Sequence, residues 1–325
     1  MSRPEEWRVP PELQPDPRAF AFDVERALDA VVSLRAAVPE DAFTAETLGT
    51  ERAGQGVVIR APDLVLTIGY LVTEAEEVWL TTNRGRTVPA HVLAYDFVTG
   101  FGLVQALSVL DAPALALGES RKLGRGDQVV VGGAGGRARS LEGRVVARQE
   151  FAGYWEYLID DAIFTAPAHP HWGGTALIGP KGDLLGIGSL QLQHQAAGGR
   201  LVPINMSVPI DLLKPNLDDM LTHGAVRRPA RPWLGVFVGE DDGSVTVIGF
   251  AGQGPGKRAG LRAGDVIRAV AGVPVDSVAA FYRALWSLGE AGIDVPLTLE
   301  REGDAFEVAI TSADRAALLR RSRFH

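Results

Sequence analysis

The sequence predicts a mainly β protein: two clusters of short strands of similar size, then a small α+β domain. Three observations predict it. Short apolar runs alternate with turn residues; 38 Gly and 20 Pro punctuate a chain of 325 residues; and strands mix with one strongly periodic helix in the last hundred residues. At about 150 residues per domain, this length predicts two or three domains. A hydrophobic share of 46% and a charged share of 22% exclude a disordered, collagen-like or coiled-coil chain.

Residues 1–21 form a polar, proline-rich leader. FDVERALDAVVSL then places Val24, Ala27, Leu28 and Val31 at helical spacing and continues into a strand. GVVI, LVLTI, EVWLTT, AHVLAY and FGLVQAL between 55 and 107 read as strands separated by APD, TEAE, NRGR and DFVTG. QVVVGGA, EGRVVAR, YWEYLID, TALIG, DLLGIGSLQL and RLVPIN between 128 and 205 form a second group. Such spacing suits two closed or sandwiched sheets. VPIDLLKPNLDDMLTHG puts Leu212, Leu213, Leu217, Met220 and Leu221 on one helical face and ends at Gly224. The expected domains are therefore 22–224, a Pro/Arg-rich linker over 225–232, an α+β domain over 233–312 and a basic tail over 313–325. The tail, with Arg315, Arg320, Arg321 and Arg323, reads as a solvated helix end.

The absence of cysteine excludes disulfides, thiol nucleophiles and thiolate metal sites. A net charge of −8 disfavours nonspecific nucleic-acid binding, which needs a basic surface. No run of eighteen apolar residues reads as a membrane span. The first residues lack the apolar core of a secretory signal, so the expectation is a cytoplasmic protein.

The third block carries a resemblance. GPGKRAGLRAGDVIRAVAGVPVDSVAAFYRAL is similar to a PDZ domain, with a small-residue loop, an A-G-L-x-x-G-D-x-I stretch and a helix beside the groove. Gly260 and Gly264 suit the turn, Leu261 and Ile267 the core, and Asp265 can accept from turn amides. The preceding two hundred residues resemble the trypsin-like domain of the HtrA family. VERALDAVVSL, GQGVVI before VLTIGYLV, TGFGLVQAL, GDQVVVGG, EGRVV and WGGTALIGPKGDLLGIG occur in that family's order. The resemblance spans about residues 22 to 311. It implies a chymotrypsin-like double β-barrel followed by a PDZ domain.

That family cuts peptides with Ser, His and Asp, in which His takes the serine proton and Asp holds the imidazole. By the resemblance, Tyr70 stands at the His position of VLTIGYLV, Gly100 at the Asp position of DFVTGFGLV and Trp172 at the Ser position of PHWGGTAL. A phenol is a poor base near neutral pH, glycine orients nothing, and an indole offers only one N–H. Pro170 falls where the oxyanion glycine is expected and lacks a backbone N–H. The loop FTAPAHPHW is also about three residues longer than the family's. These departures lead to the expectation that the chain is not an enzyme. Shifted-register candidates are Ser189, Thr175, Thr67, Asp96 and the histidines at 91, 169, 171 and 194; their alternative reading is ordinary turn or surface residues.

Two further features leave alternatives open. His169 and His171, two apart in an extended loop, could hold zinc, copper or nickel with His194, or could be exposed loop histidines. Tyr154, Trp155 and Tyr157 could form a ligand platform or simply pack a strand.

The functional expectation is a pseudoprotease of the HtrA family acting as a scaffold or regulator that binds peptide or protein C-termini by strand addition. Trp233, Leu234, Gly235 and Val236 match the carboxylate-binding loop, and Val278 and Tyr282 on the helix from Ser277 to Leu288 line the groove, leaving Phe281 and Leu285 for the core. Trp172 is expected to fill the space of a substrate carbonyl. The resemblance also implies a homotrimer through N-terminal aromatics, for which Phe20 and Phe22 are candidates, or a mixed oligomer with an active relative. No cofactor or metal is part of this reading. Its alternatives are a hydrolase with other chemistry and a metal-binding module built on His169 and His171.

Overall fold

A computed structural model describes residues 7–195 and 198–320. The chain divides into two compact units. Among the described residues, one comprises 7–149 and 161–226, and the other comprises 150–160 and 227–320. Arg321 and Arg323 of the expected basic tail lie outside the described residues.

The first unit holds two closed barrels. β1 (Val31–Ala37), β2 (Glu51–Arg60), β3 (Leu64–Ile68), β4 (Glu77–Thr81), β5 (Thr87–Tyr95) and β6 (Phe101–Ala106) close in the order β1-β2-β3-β6-β5-β4. β7 (Gln128–Gly132), β8 (Leu141–Gly153), β9 (Tyr157–Ala166), β10 (Ala176–Ile178), β11 (Leu184–Gln195) and β12 (Leu201–Pro209) close as β10-β11-β12-β9-β8-β7. Closure leaves no open sheet edge to protect. Alternate residues point inward, so Leu34, Leu66, Leu80 and Leu103 are wholly buried in the first barrel, and Val129, Ile163 and Leu177 in the second.

Helix α1 (Val24–Leu28) starts where the Asp23 carboxylate accepts from the Arg26 amide, and a short α2 (Ala45–Leu48) follows β1. The leader adds two single 3₁₀ turns at Pro11–Leu13 and Pro17–Ala19, and its Val9 packs with the second barrel's core. The helix expected after Val208 forms in two pieces: a 3₁₀ turn at Ile210–Leu212, then α3 (Leu217–His223). Pro215 separates them, because proline disfavours helical backbone in the residue before it. Gly224 ends α3 in the left-handed conformation, its amide donating to the Met220 carbonyl.

In the second unit, β13 (Val236–Asp241), β14 (Ser244–Phe250), β15 (Val266–Val270), β17 (Asp294–Arg301) and β18 (Asp304–Thr311) form a sheet in that order, with β16 (Val273–Pro274) paired to β15. A short α4 (Pro255–Arg258) follows β14. Helix α5 (Val278–Ser287) is capped by Ser277, whose hydroxyl accepts from the Ala280 amide. Phe281, Tyr282 and Leu285 are fully buried and pack with Leu261, Ile267 and Leu297. In the AGLRAGD turn, Asp265 accepts from the Arg262 amide at 2.8 Å and pairs with Arg301 at 2.6 Å. These bonds hold its carboxyl below the usual carboxylate range.

One expected strand is corrected. In YWEYLID, Tyr154, Trp155 and Glu156 form the turn between β8 and β9, and only Tyr157 onward is strand. Glu156 adopts φ 60°, which breaks the extended run.

Candidate functional site

In the first unit, β3 runs into a 3₁₀ turn, Gly69–Leu71, that presents Tyr70. Arg52, 5% exposed, anchors this turn by donating to the carbonyls of Tyr70 and Thr73 at 2.9 Å each, and also reaches the Gly49 carbonyl and the Thr44 hydroxyl. The Tyr70 hydroxyl donates to the Ser189 carbonyl at 2.9 Å, and the Trp172 side chain hydrogen-bonds the same hydroxyl. Burial raises the phenol's pKa above its ordinary value, so Tyr70 stays protonated. Trp172 is half-buried against Tyr70 rather than turned out above an open cleft.

The structure thus brings together the three positions that the resemblance singles out. Gly100 sits beside Tyr70: its carbonyl accepts from the Gly69 amide at 2.7 Å, and its own amide donates to Asp96. A φ of 82° at Gly100 suits glycine and strains a side-chain-bearing residue. Asp96 is buried and accepts from the Thr99 hydroxyl at 2.7 Å and the Val98 amide at 3.2 Å. Thr175 donates to the Trp172 carbonyl, Thr67 donates to the Gln55 carbonyl, and the Ser189 carbonyl receives Tyr70. His91 lies on β5 opposite Gln105, His194 is exposed near the end of β11, and Pro170 is exposed.

His169 is buried, not an exposed loop histidine. Its amide donates to the Asn205 side chain at 2.6 Å, its Nε2 lies 2.8 Å from the Arg139 carbonyl, and its Nδ1 accepts from the His171 amide at 3.1 Å. That pattern fixes a neutral imidazole with Nε2–H as donor. Burial, first of all, lowers its pKa. Both ring nitrogens are used, and among the described residues no group of three His, Cys, Asp or Glu is placed to hold a metal. The metal alternative for His169 and His171 therefore has no geometric support.

The second unit contains a different centre. The amides of Leu234 and Gly235 converge on Glu156 Oε1 at 3.1 and 3.0 Å, and the Val236 amide also hydrogen-bonds this carboxylate. Gly235 turns the loop at φ 68°, and a Cβ there would lie 2.7 Å from the Trp233 ring and 2.9 Å from Gly254. Trp233 takes a different part from the one expected. Its amide donates to the Ala313 carbonyl at 3.1 Å and its carbonyl accepts from Ala313, so the converging donors begin at Leu234.

On α5, Tyr282 meets the turn that carries Glu156. Its hydroxyl donates to the Gly153 carbonyl at 2.7 Å and accepts from the Glu156 amide at 2.9 Å. Val278 is buried at the start of α5, its amide bonded to Glu240 at 3.0 Å. The Glu156 carboxyl is pushed up to about 7 by burial, opposed by the Arg315 guanidinium and the three loop amides. The sequence reading missed Glu156. The available signal was one charged residue inside the aromatic run YWEYLID.

These features define a trypsin-like double barrel followed by a PDZ-type sheet and helix. The Trypsin-like peptidase domain family matches residues 54–187, and the PDZ domain family matches residues 232–311. The chain is 27% identical over 317 residues to the periplasmic pH-dependent serine endoprotease DegQ of Escherichia coli, covering 89% of this chain and 69% of that protein. It is 26% identical over 274 residues to a probable periplasmic serine endoprotease, DegP-like, of Halomonas elongata, covering 80% of this chain and 56% of that one. Among solved structures, the HtrA-type protease AlgW with tripeptide superposes with a TM-score of 0.52 at 21% identity, covering 89% of this chain and 95% of that chain. A serine endoprotease from Yersinia pestis gives 0.52 at 23%, covering 90% and 96%. The structural likenesses show the fold. With its two matched domains and these relatives, the chain fits the HtrA family.

Two expectations are corrected here. The chain was expected not to be an enzyme, but the relatives it matches are named serine endoproteases. It was expected to be cytoplasmic, but those relatives are named periplasmic. Among the described residues, no helix is long and apolar enough to cross a membrane.

Proposed function

We propose that this HtrA-like protein recognises extended peptides with a free C-terminal carboxylate in its PDZ domain. The amides of Leu234, Gly235 and Val236 would receive the carboxylate, β13 would pair with the peptide backbone, and Val278 and Tyr282 on α5 would form the far wall. The convergence of loop amides on one carboxylate, at 3.1 and 3.0 Å, carries the reading. Backbone donors aimed at one point form an anion site that needs no basic side chain. Decapeptides with free C-termini, compared with amidated copies by fluorescence anisotropy, test it. Equal binding of both forms would remove the carboxylate from the recognition.

The comparisons favour a second, compatible reading, a periplasmic serine endoprotease acting on peptide chains. Hydrolysis by this chain would use groups other than a Ser–His–Asp set at positions 70, 100 and 172, because Tyr70, Gly100 and Trp172 cannot supply that proton relay. Casein turnover by the purified chain tests the activity, and cell fractionation tests the compartment. Assembly through Phe20 and Phe22, whose rings lie 5.4 Å apart, belongs to the same proposal. Light scattering of the full chain checks it.

A further inference from the structure

Glu156 is 8% exposed, and a carboxyl so buried needs donors or a counter-charge. It has the three loop amides and the nearby Arg315 guanidinium. Its neighbours reproduce the other contacts of a bound peptide. Two residues before it, the Tyr154 carbonyl accepts from the Val238 amide at 3.0 Å, along the edge strand β13. An edge strand offers unpaired backbone groups to an added strand. The Tyr154 ring meets Phe237 edge-on at 5.4 Å. From α5, Tyr282 bonds Gly153 and Glu156. Residues 150–160 are counted with this unit, so all these contacts lie within it.

A purely structural turn accounts for less of this. At φ 60°, Gly or Asn would make the turn with less strain than Glu. What Glu adds is a carboxylate, and that carboxylate is what the loop amides meet.

We infer that residues 153–156 are an internal ligand of the PDZ groove, with the Glu156 side-chain carboxylate standing where the C-terminal carboxylate of a bound peptide would stand. The consequence rests on the peptide-recognition reading above: an external peptide enters the groove only when this turn leaves it.

The test compares the full wild-type chain with Glu156→Gly, which removes the carboxylate and suits the positive φ, and with Glu156→Gln, which keeps the side chain's size. Hydrogen exchange is followed at the Leu234, Gly235 and Val238 amides, together with binding of decapeptides randomised over the last four positions, with free or amidated ends. Glu156→Gly is expected to lose at least tenfold in amide protection and to bind free-ended peptides at least tenfold more tightly, with amidated copies unchanged. Glu156→Gln is expected to shift both readings the same way, by less. Unchanged protection in both variants overturns the inference, as does an unchanged affinity where wild type binds free-ended peptides. If protection falls as expected and no free-ended peptide binds any of the three chains, the internal ligand stands and the peptide-capture proposal falls.

Discussion

The polar centres around Tyr70 and Glu156 are both knit by hydrogen bonds, yet they differ in kind: Tyr70 and Trp172 are half-buried, whereas Glu156 is buried. At the first, a neutral phenol donates to the Ser189 carbonyl and is bonded by Trp172, while the Arg52 guanidinium holds the backbone carbonyls of the turn. At the second, a carboxylate sits on backbone amides beside Arg315. A neutral chain of bonds responds little to pH or to an entering anion, whereas a buried carboxylate responds to both. On the peptide-recognition proposal, the first centre stays fixed and the second exchanges one carboxylate for another.

The sharpest way to break the first centre alone is Gly174→Ala. A Cβ there would lie 1.8 Å from the Gln55 carbonyl oxygen at a φ of 81°, and neither backbone can yield. The expected loss is about 4 kcal/mol or more, read as a fall in denaturation midpoint or a failure to fold. A variant as stable as wild type would show that the Trp172 loop is not held where it is described.

Two buried titratable groups, Glu156 in the second centre and His169 in the first unit, should respond to pH with opposite signs. Glu156, faced by Arg315 and the Tyr282 hydroxyl, titrates near 7 when folded, above its ordinary 4.5. Between those values the folded state binds more protons than the unfolded, so the stability linked to it is complete below about pH 4.5 and is lost as pH rises through 7. The span corresponds to at most about 3.5 kcal/mol at roughly 1.4 kcal/mol per pH unit. His169, faced by Arg139 and His171, is held neutral by burial. Its contribution is present above the ordinary imidazole value and is lost as pH falls through the lowered one. Melting temperatures measured from pH 4 to 8 should show both limbs. Glu156→Gln should remove the loss of stability toward neutral pH, and a Glu156→Gln profile that parallels wild type between pH 5 and 7 would contradict the assignment.

Tyr282→Phe removes the hydroxyl shared by Gly153 and Glu156. It should cost about 2 kcal/mol, because it leaves buried groups without a partner, and exchange at the Glu156 amide should quicken. Smallest of the four, Tyr70→Phe should cost about 1 kcal/mol through the Ser189 carbonyl. If casein turnover is detected and falls tenfold in this variant, the phenol takes part in chemistry and the contrast between the two centres fails.

Much of this molecule was legible from its residues. Apolar alternation located the barrel strands, and the Gly260 to Ile267 turn with Asp265 marked the PDZ-type sheet, because both signals depend on neighbours in sequence. The linear reading went astray at YWEYLID, where aromatic residues favour strand but Glu156 takes a left-handed turn. Leu234 and Glu156 are 78 residues apart, so no local pattern links the loop to the carboxylate it holds. His169 was misjudged for a similar reason: its partners Arg139 and Asn205 come from distant strands and loops. Trp233 was assigned by its place in a motif, while its amide is satisfied by Ala313, which only the closing of the chain brings near. Activity and compartment were read from what is missing in the sequence, and the named relatives point the other way on both.

The turn at 153–156 is tethered to the groove that it occupies. A group carried on the same chain acts at an effective concentration independent of the protein's own, taken as on the order of millimolar. A contact as weak as about 10 μM would then leave the groove open roughly 1% of the time and raise the apparent dissociation constant of a competing peptide about 100-fold. Ordinary carboxylate ends at micromolar abundance would pass unnoticed. The tether would act as a threshold, set by the geometry of one turn, that only abundant or unusually tight peptides cross.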